Sequence, residues 1–510
     1  MEQQLFYIPE NIDIDDIIRK NSISHIDGFN RDKLLYILHL LAEIPSRNKD
    51  LTDEEGYVPI NAEILKQWIG KGYSDYLTYL LEAGIIETDD QFIVGVKSKG
   101  YRFCERYQQS LKSIPITNSI LLKKMEGIKQ PNKGTKEPQI FNNVTYSSGM
   151  AIEKKEPVNA STASQFDLSS IGSKYTPIER WYKAGGLNIN DKLAHAYNAE
   201  IYLQKKKDRS KWDKTISGRG IEWKNPYTQY LGTHLNIEKI RRGLFNAHFD
   251  QNVFRYHSAL TSCKREIRNA VTYDGEELVS IDLSNSQPTL LTLLLDDGFW
   301  TNEAKGGKLN SSDIPYLFIT PIFANHKHLS NTITLCKNAQ NNRIMEGDEM
   351  WNYYRMVSSG NFYSEFRHLL KDKLGFDFKT NDEVKPMLFT VLFTDNRFIG
   401  QEEAAPKRIF RDIFPQIYEI TASIKRAKAE NLPILLQRIE SYIMYHRVVA
   451  RIAQEKSYLP IFTLHDSVVT LKGYEEYVEN VMKEEFGKCL GFTPHFKREY
   501  WIENKLKMAI

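Results

Sequence analysis

Between residues 31 and 42 apolar side chains recur at Leu34, Leu35, Ile37, Leu38 and Leu41, the spacing of one helix face. A second helix is predicted over 62–69 and a third over 74–83, stopped by Gly84. Two short β-rich runs follow, Ile85-Ile86-Glu87 and Phe92-Ile93-Val94-Gly95-Val96, split by the turn-prone Asp89-Asp90. Helices followed by a hairpin predict a winged helix-turn-helix module within residues 1–108. If it binds nucleic acid, its third helix enters a groove while Lys97, Lys99 and Arg102 meet phosphates. A protein-docking module of the same shape would show the same pattern.

The pattern dissolves from 109 to 175. Ser, Thr, Asn, Lys, Gly and Pro dominate, as in Gln130-Pro131-Asn132-Lys133-Gly134, and only residues 119–127 have helical spacing. This stretch is expected to be a polar linker. Residues 176–510 then alternate strand-like and helix-like runs, which makes the chain α+β overall, and no internal repeat is visible.

Two of the strand-like runs end in an acid. Leu278-Val279-Ser280-Ile281 leads to Asp282, and Ser284-Asn285-Ser286-Gln287-Pro288 then reads as a turn into a buried helix over 289–295. Phe462-Thr463-Leu464 leads to His465-Asp466-Ser467 and a second strand run, a hairpin with the acid at its tip. Taken alone, Asp282 reads equally well as a helix cap, and His-Asp-Ser as a surface turn. Taken together, two carboxylates at strand ends can hold two divalent cations for attack on a phosphate. Between them lies a helix with Lys385, Phe389 and Phe393 at i, i+4 and i+8, capped by Asn381 or Asp382, with Pro386 in or near its first turn. A cation above two aromatic rings suits a nucleotide, and a buried aromatic stripe with an incidental lysine gives the same spacing.

Composition changes this picture little. The 510-residue chain is 41% hydrophobic and 26% charged, ordinary for a soluble globular protein. Roughly two to four domains are expected at this length. A net charge of +3 does not by itself indicate a nucleic-acid partner. The signal is local. Lys205, Lys206, Lys207, Arg209, Lys211, Lys214, Arg219, Lys224, Lys239, Arg241 and Arg242 crowd residues 201–245 with Trp212, Trp223, Tyr227 and Tyr230 interleaved. That mixture suits a nucleic-acid backbone and stacked bases, or a solvated helical face. The cysteines Cys104, Cys263, Cys336 and Cys489 are scattered without C-x-x-C, so neither a zinc site nor a disulfide framework is expected and a reducing cytoplasm is the default. The opening Met1-Glu2-Gln3-Gln4 has no basic stretch before an apolar one, and no run reaches membrane-spanning length.

The order acid, Lys-aromatic helix, acid resembles the palm and fingers of family A nucleic-acid polymerases, which include polymerase I-like DNA polymerases and phage-type single-subunit RNA polymerases. The likeness covers about residues 250–500. Ile281-Asp282-Leu283-Ser284-Asn285-Ser286-Gln287 resembles motif A, Lys385 to Phe393 motif B, and Leu464-His465-Asp466-Ser467 motif C. Phe254-Arg255-Tyr256-His257, followed by Lys264, Arg265 and Arg268, is similar to the segment that grips primer and template backbones. Leu435-Leu436-Gln437 resembles the helix whose Gln reads the primer minor groove.

The resemblance implies a right-hand fold of palm, fingers and thumb behind the winged module, thumb-like over about 176–250 with palm and fingers over about 251–510. It implies template-directed nucleotidyl transfer with two Mg²⁺ ions, Mn²⁺ being an alternative, held by Asp282, Asp466 and the carbonyl of Leu283. Lys385 would meet the triphosphate, Phe389 and Phe393 would shape the nucleotide pocket, and Gln287 would crowd the sugar. Arg255, Lys264, Arg268, Gln437 and His465 would contact primer-template nucleic acid. A phage, plasmid or other mobile element would be a natural home.

The sequence also departs from the family. Asn381 stands where an Arg is usual, with Lys379 or Arg397 as substitutes. Phe393 replaces a Tyr, Gln287 replaces the Glu of DNA polymerases, and Ser467 is the RNA-polymerase choice, whereas Phe389 is the DNA-polymerase choice. On balance dNTPs are expected as substrates, with rNTPs and an RNA polymerase or primase-like enzyme as the alternative. A DNA-binding replication initiator with an inactive palm is the second. With a winged module ahead of the linker, no proofreading exonuclease is expected. That module is expected to recruit a replication or transcription partner.

Overall fold

The computed structural model describes residues 4–21, 23–24, 26–48, 51–93, 97–127, 174–217, 220–301, 305–315, 326–341, 346–374, 378–397, 399–401 and 404–510. Residues 128–173 of the expected linker, 94–96 of the expected second strand run, and Arg219 lie outside them.

The N-terminal part opens with β1 (Leu5–Pro9), then α1 (Arg31–Arg47), β2 (Val58–Pro59), α2 (Ala62–Trp68), α3 (Tyr73–Glu82), β3 (Ile86–Thr88) and β4 (Gly100–Phe103). The short strands form an antiparallel sheet in the order β2-β4-β3. Strand β3 pairs with Gly100–Phe103, where the sequence predicts a hairpin with the run at 92–96. Tyr101 and Phe103 are buried, whereas Phe92 and Ile93 are 60% and 57% exposed. A buried surface to pack on favours the strand at Gly100–Phe103.

Two features join this part to the rest of the chain. A further strand, β5 (Leu111–Pro115), lies inside the expected linker and pairs antiparallel with β1, followed by α4 (Ser119–Gly127). Next come β6 (Leu187–Ile189), α5 (Asp191–Lys207), β7 (Lys214–Ser217), β8 (Gly220–Trp223) and α6 (Pro226–Arg241). Tyr227, Tyr230, Leu231 and Leu235 of α6 belong to the same hydrophobic core as α1, and Ile237 and Ile240 to the core of the C-terminal part. Helix α6 is buried on most of its surface because it serves both cores, although it carries polar residues such as Asn236 and Glu238. A Cβ on Gly232 would come within 2.8 Å of the Pro45 backbone, so only glycine lets α6 lie this close to α1. The expected separate module is thus fused to the body through a shared core.

The C-terminal part is built on β9 (Val271–Tyr273), β10 (Glu276–Leu283), α7 (Ser286–Leu294), α8 (Phe362–Leu374), α9 (Asn381–Phe393), α10 (Pro415–Lys425), α11 (Asn431–Ser441), β11 (Ile461–Leu464), β12 (Ser467–Leu471), α12 (Glu475–Leu490) and β13 (Phe496–Tyr500). A six-stranded antiparallel sheet runs β11-β12-β10-β9-β6, with β13 on the other edge of β10. The β9–β10 turn is Asp274-Gly275, both at positive φ, as a tight two-residue hairpin needs. Strand β10 alternates little because helices and strands cover it: residues 278–281 are all buried.

Candidate active site

Asp282 lies one residue from the end of β10, opposite Ser467 of β12 on one side and Lys497 of β13 on the other. His465 and Asp466 form the turn between β11 and β12, closed by the Leu464–Ser467 pair. His465 adopts a left-handed φ of 57°, which lets the turn close in two residues. The Leu283 amide donates to the Asp466 carbonyl at 3.3 Å, and the Ser467 hydroxyl donates to Asp282 Oδ1. Adjacent antiparallel strands therefore bring together two acids that are far apart in sequence. Asp282 caps no helix: the position before α7 is Asn285, itself at φ 54°.

Both carboxyls are held above their ordinary range. Burial raises Asp282, the nearby Glu499 pushes the same way, and the Ser467 hydrogen bond, Arg265 and Lys497 oppose them. Burial also raises Asp466, and strongly, with the charges of Asp282 and Glu440 adding to it against Arg255. Two half-buried acids whose charges oppose each other form a site short of positive charge. Oxygen donors alone, from carboxylates in a partly buried cleft, are the set that Mg²⁺ takes.

Beside the acids an open cleft of about 540 Å³ is lined by Asp282, Asn285, Tyr363, Asn381, Lys385 and Lys497, among others. Lys385 reaches it from α9, its Nζ 3.0 Å from Asp382 and 5.7 Å from the centre of the Tyr363 ring. Thr380 stands at the N-cap of α9 without a side-chain bond, so neither Asn381 nor Asp382 caps the helix. Pro386 sits inside α9 and not in its first turn, which removes one backbone hydrogen bond at the lysine-bearing end. Phe389 stacks on Phe393 with ring centres 5.1 Å apart, and Phe389 is 38% exposed.

The remaining expected site residues divide into inward-facing and outward-facing groups. The Arg255 guanidinium turns inward and pairs with the fully buried Glu440 at 2.6 Å. The other oxygen of Glu440 accepts from Ser286 Oγ at 2.9 Å and from Gln287 Nε2 at 3.0 Å. Glu440 thus fixes Arg255 and Gln287 in one network. Arg268 is directed at the Thr261 carbonyl, 3.3 Å away, and burial lowers its pKa. Lys264 lies 3.7 Å from Asp213. Gln437 is half-buried on α11, one turn before Glu440. His465 packs 5.8 Å from the His257 ring, and burial, with help from Arg255 and His257, lowers it to about 3. Among the described residues, Asn285 Nδ2, Gln287 Oε1 and His465 Nδ1 are buried without a hydrogen-bond partner, as are several atoms elsewhere in the fold.

Sequence reasoning missed Glu440, Tyr363 and Lys497. Glu440 follows Gln437 by one turn of the same helix, and no residue type distinguishes it. Lys497 is found only through the register of β13 against β10, and Tyr363 only through the packing of α8 beside α9.

No protein-family model and no curated protein matches the chain. Among solved structures it is similar to the POL domain of Pol1 from M. smegmatis in complex with DNA primer-template and dNTP, at 13% identity and a TM-score of 0.29, over 66% of this chain and 72% of that one. At that TM-score, fold and function have to be argued from the chain's own residues. No helix among the described residues is long and apolar enough to cross a membrane.

Proposed function

We propose that this chain is a template-directed nucleotidyltransferase of family A type, extending a primer with deoxynucleotides and lacking proofreading. The observation that carries the reading is the meeting of Asp282 and Asp466 at neighbouring strand ends, beside a cleft that Lys385 enters from a helix. In this reading β10, β11, β12 and β13 belong to the palm, α8 and α9 to the fingers, and part of 176–250 to the thumb.

Asp282 and Asp466, with the Leu283 carbonyl, would hold Mg²⁺. Bound there, the ions supply the positive charge that activates a primer 3′-hydroxyl and neutralises a triphosphate. The Lys385 ammonium meets the triphosphate from the opposite wall, and Lys497, opposite Asp282 in register, adds a second cation to that cleft. Asn381 occupies the position where an Arg is usual and lines the same cleft. Gln287, held by Glu440, presents a fixed side chain to the sugar. Tyr363 brings a phenol to the cleft, the group that Phe393 lacks. Glu440 holds Arg255 in place, and Gln437 and His465 stand beside the primer end.

Several basic residues of 201–245 are already engaged: Lys205 with Asp213, Lys239 with Glu43, and Arg241 with Glu238. Arg209 pairs with Glu54, whereas Lys206, Lys207, Lys211 and Lys214 are exposed in the stretch that carries Trp212 and Trp223 and form the better nucleic-acid face. In the N-terminal part the order of helices and strands supports the winged-helix reading. Lys97, Lys99 and Arg102 pair with Asp89, Asp90 and Glu87 at 2.9, 3.0 and 3.0 Å, which favours a docking role over phosphate contact.

The test is extension of a labelled primer on a DNA template with Mg²⁺, dNTPs and rNTPs being given separately and Asp466→Asn serving as control. Extension with dNTPs, absent in the variant, is expected. Extension with rNTPs alone would make the enzyme an RNA polymerase. DNA binding without extension on any template would support an initiator with an inactive palm.

A further inference from the structure

Outside the cleft, His195, His234 and Glu238 place one ligand atom each within 4.8 Å of one another. His234 and Glu238 are four residues apart on α6 and share a face. His195 comes from α5, which packs alongside. His195 Nε2 is 2.9 Å from Glu238 Oε1, and the two imidazole centres are 4.3 Å apart.

The surroundings are built as an outer shell. The Tyr7 hydroxyl of β1 donates to Glu238 Oε2 at 2.9 Å, and Arg241 Nη2 donates to the same oxygen at 2.7 Å. Arg241 Nε also lies 3.2 Å from Oε1. Tyr7 and Arg241 fix the carboxylate, with Oε1 turned toward the His195 ring, the kind of support found around a ligating acid. His234 is the unexplained member. Its ring has no hydrogen bond among the described residues and lies against the His195 ring. A neutral imidazole with a spare lone pair is the form that binds metal. Ring packing against Tyr7 and Tyr230, at 6.0 and 6.1 Å, accounts for its position and leaves its nitrogens without a role.

We propose that His195, His234 and Glu238 form a Zn²⁺-class site that ties α5 and α6 to β1 through Tyr7. Two imidazoles and one carboxylate are the donors of zinc and its borderline neighbours, and not of Mg²⁺ or Ca²⁺. The spacing of the cysteines gave no hint of it, because no cysteine takes part. The site stands apart from the polymerase reading and does not depend on it.

The full chain, stripped with EDTA and desalted, is titrated with Zn²⁺ against a chromogenic chelator, beside His234→Ala and His195→Gln. One equivalent should bind, with affinity reduced at least about tenfold in each variant. Zn²⁺ should raise the melting temperature of the parent and not of the variants. Circular dichroism in EDTA should match for all three chains. No saturable binding by the parent, or equal affinity in the variants, overturns the site, the latter pointing to the cysteines. Should His234→Ala fail to fold, the more exposed His195→Gln decides the matter alone.

Discussion

Two partly buried acidic clusters in this molecule are treated in opposite ways. At the α1–α6 seam, Glu43 pairs with Lys239 and Arg47, and Glu238 with Arg241, Tyr7 and His195. Burial raises both carboxyls, but these partners outweigh it and hold them below the ordinary range. At the sheet, Asp282 and Asp466 face each other and stay above it. In the metal-free chain the seam acids are balanced by the chain's own partners, whereas the strand ends carry an electrostatic cost that a cation would relieve. That contrast, more than burial, supports the proposed role of Asp282 and Asp466.

The largest test of the contrast is Asp466→Asn or Asp282→Asn. Primer extension should fall at least about a thousandfold, about 4 kcal/mol of barrier. The metal-free variants should melt no lower than the parent, since a like-charge pair has been relieved. A melting temperature well below the parent's would make these acids structural. Glu440→Ala should cost about 3–5 kcal/mol in denaturant unfolding, because it leaves the buried Arg255 unpaired. Lys385→Ala should lower kcat/KM for nucleotide up to about a hundredfold, with folding unchanged. Steady-state kinetics with unaltered KM and kcat would remove Lys385 from the site.

The smallest effect is in pH dependence. Asp466 is raised above its ordinary 3.8, so its stability contribution is complete below that pH and is lost as pH rises through the folded value. Glu238 is lowered from 4.5, so its contribution is present above that pH and lost as pH falls through its folded value. In metal-free buffer, the stability gap between Asp466→Asn and the parent should widen with rising pH. For Glu238→Gln the parent should hold its advantage above about pH 4.5 and lose it on further acidification. Urea unfolding across pH measures both, and the same slope in both would erase the contrast.

Gln287 shows what the structure adds to a substitution. From sequence, Gln287→Glu looks like a clean test of sugar discrimination. In the fold Gln287 donates to Glu440, so a Glu there would set carboxylate against carboxylate. Gln287→Ala avoids that. It should raise ribonucleotide incorporation relative to deoxynucleotide by about tenfold, read from primer extension with each nucleotide set; an unchanged ratio would acquit Gln287 as the gate.

By itself the sequence determined which segments became the main helices and strands around the acids, because hydrophobic period and turn chemistry are local properties. It also determined that Lys385, Phe389 and Phe393 share one helix face, since spacing alone fixes that. Tertiary structure decided the rest. Strand register placed Asp282 beside Ser467 and Lys497, and helix packing brought Glu440 under Gln287 and Tyr363 into the cleft. It also turned α6 into a helix shared by two cores, making a docked part of what reads as a free module. Such pairings depend on contacts between residues far apart in the chain, and a one-residue slip in register would undo them while leaving the local pattern of the sequence intact.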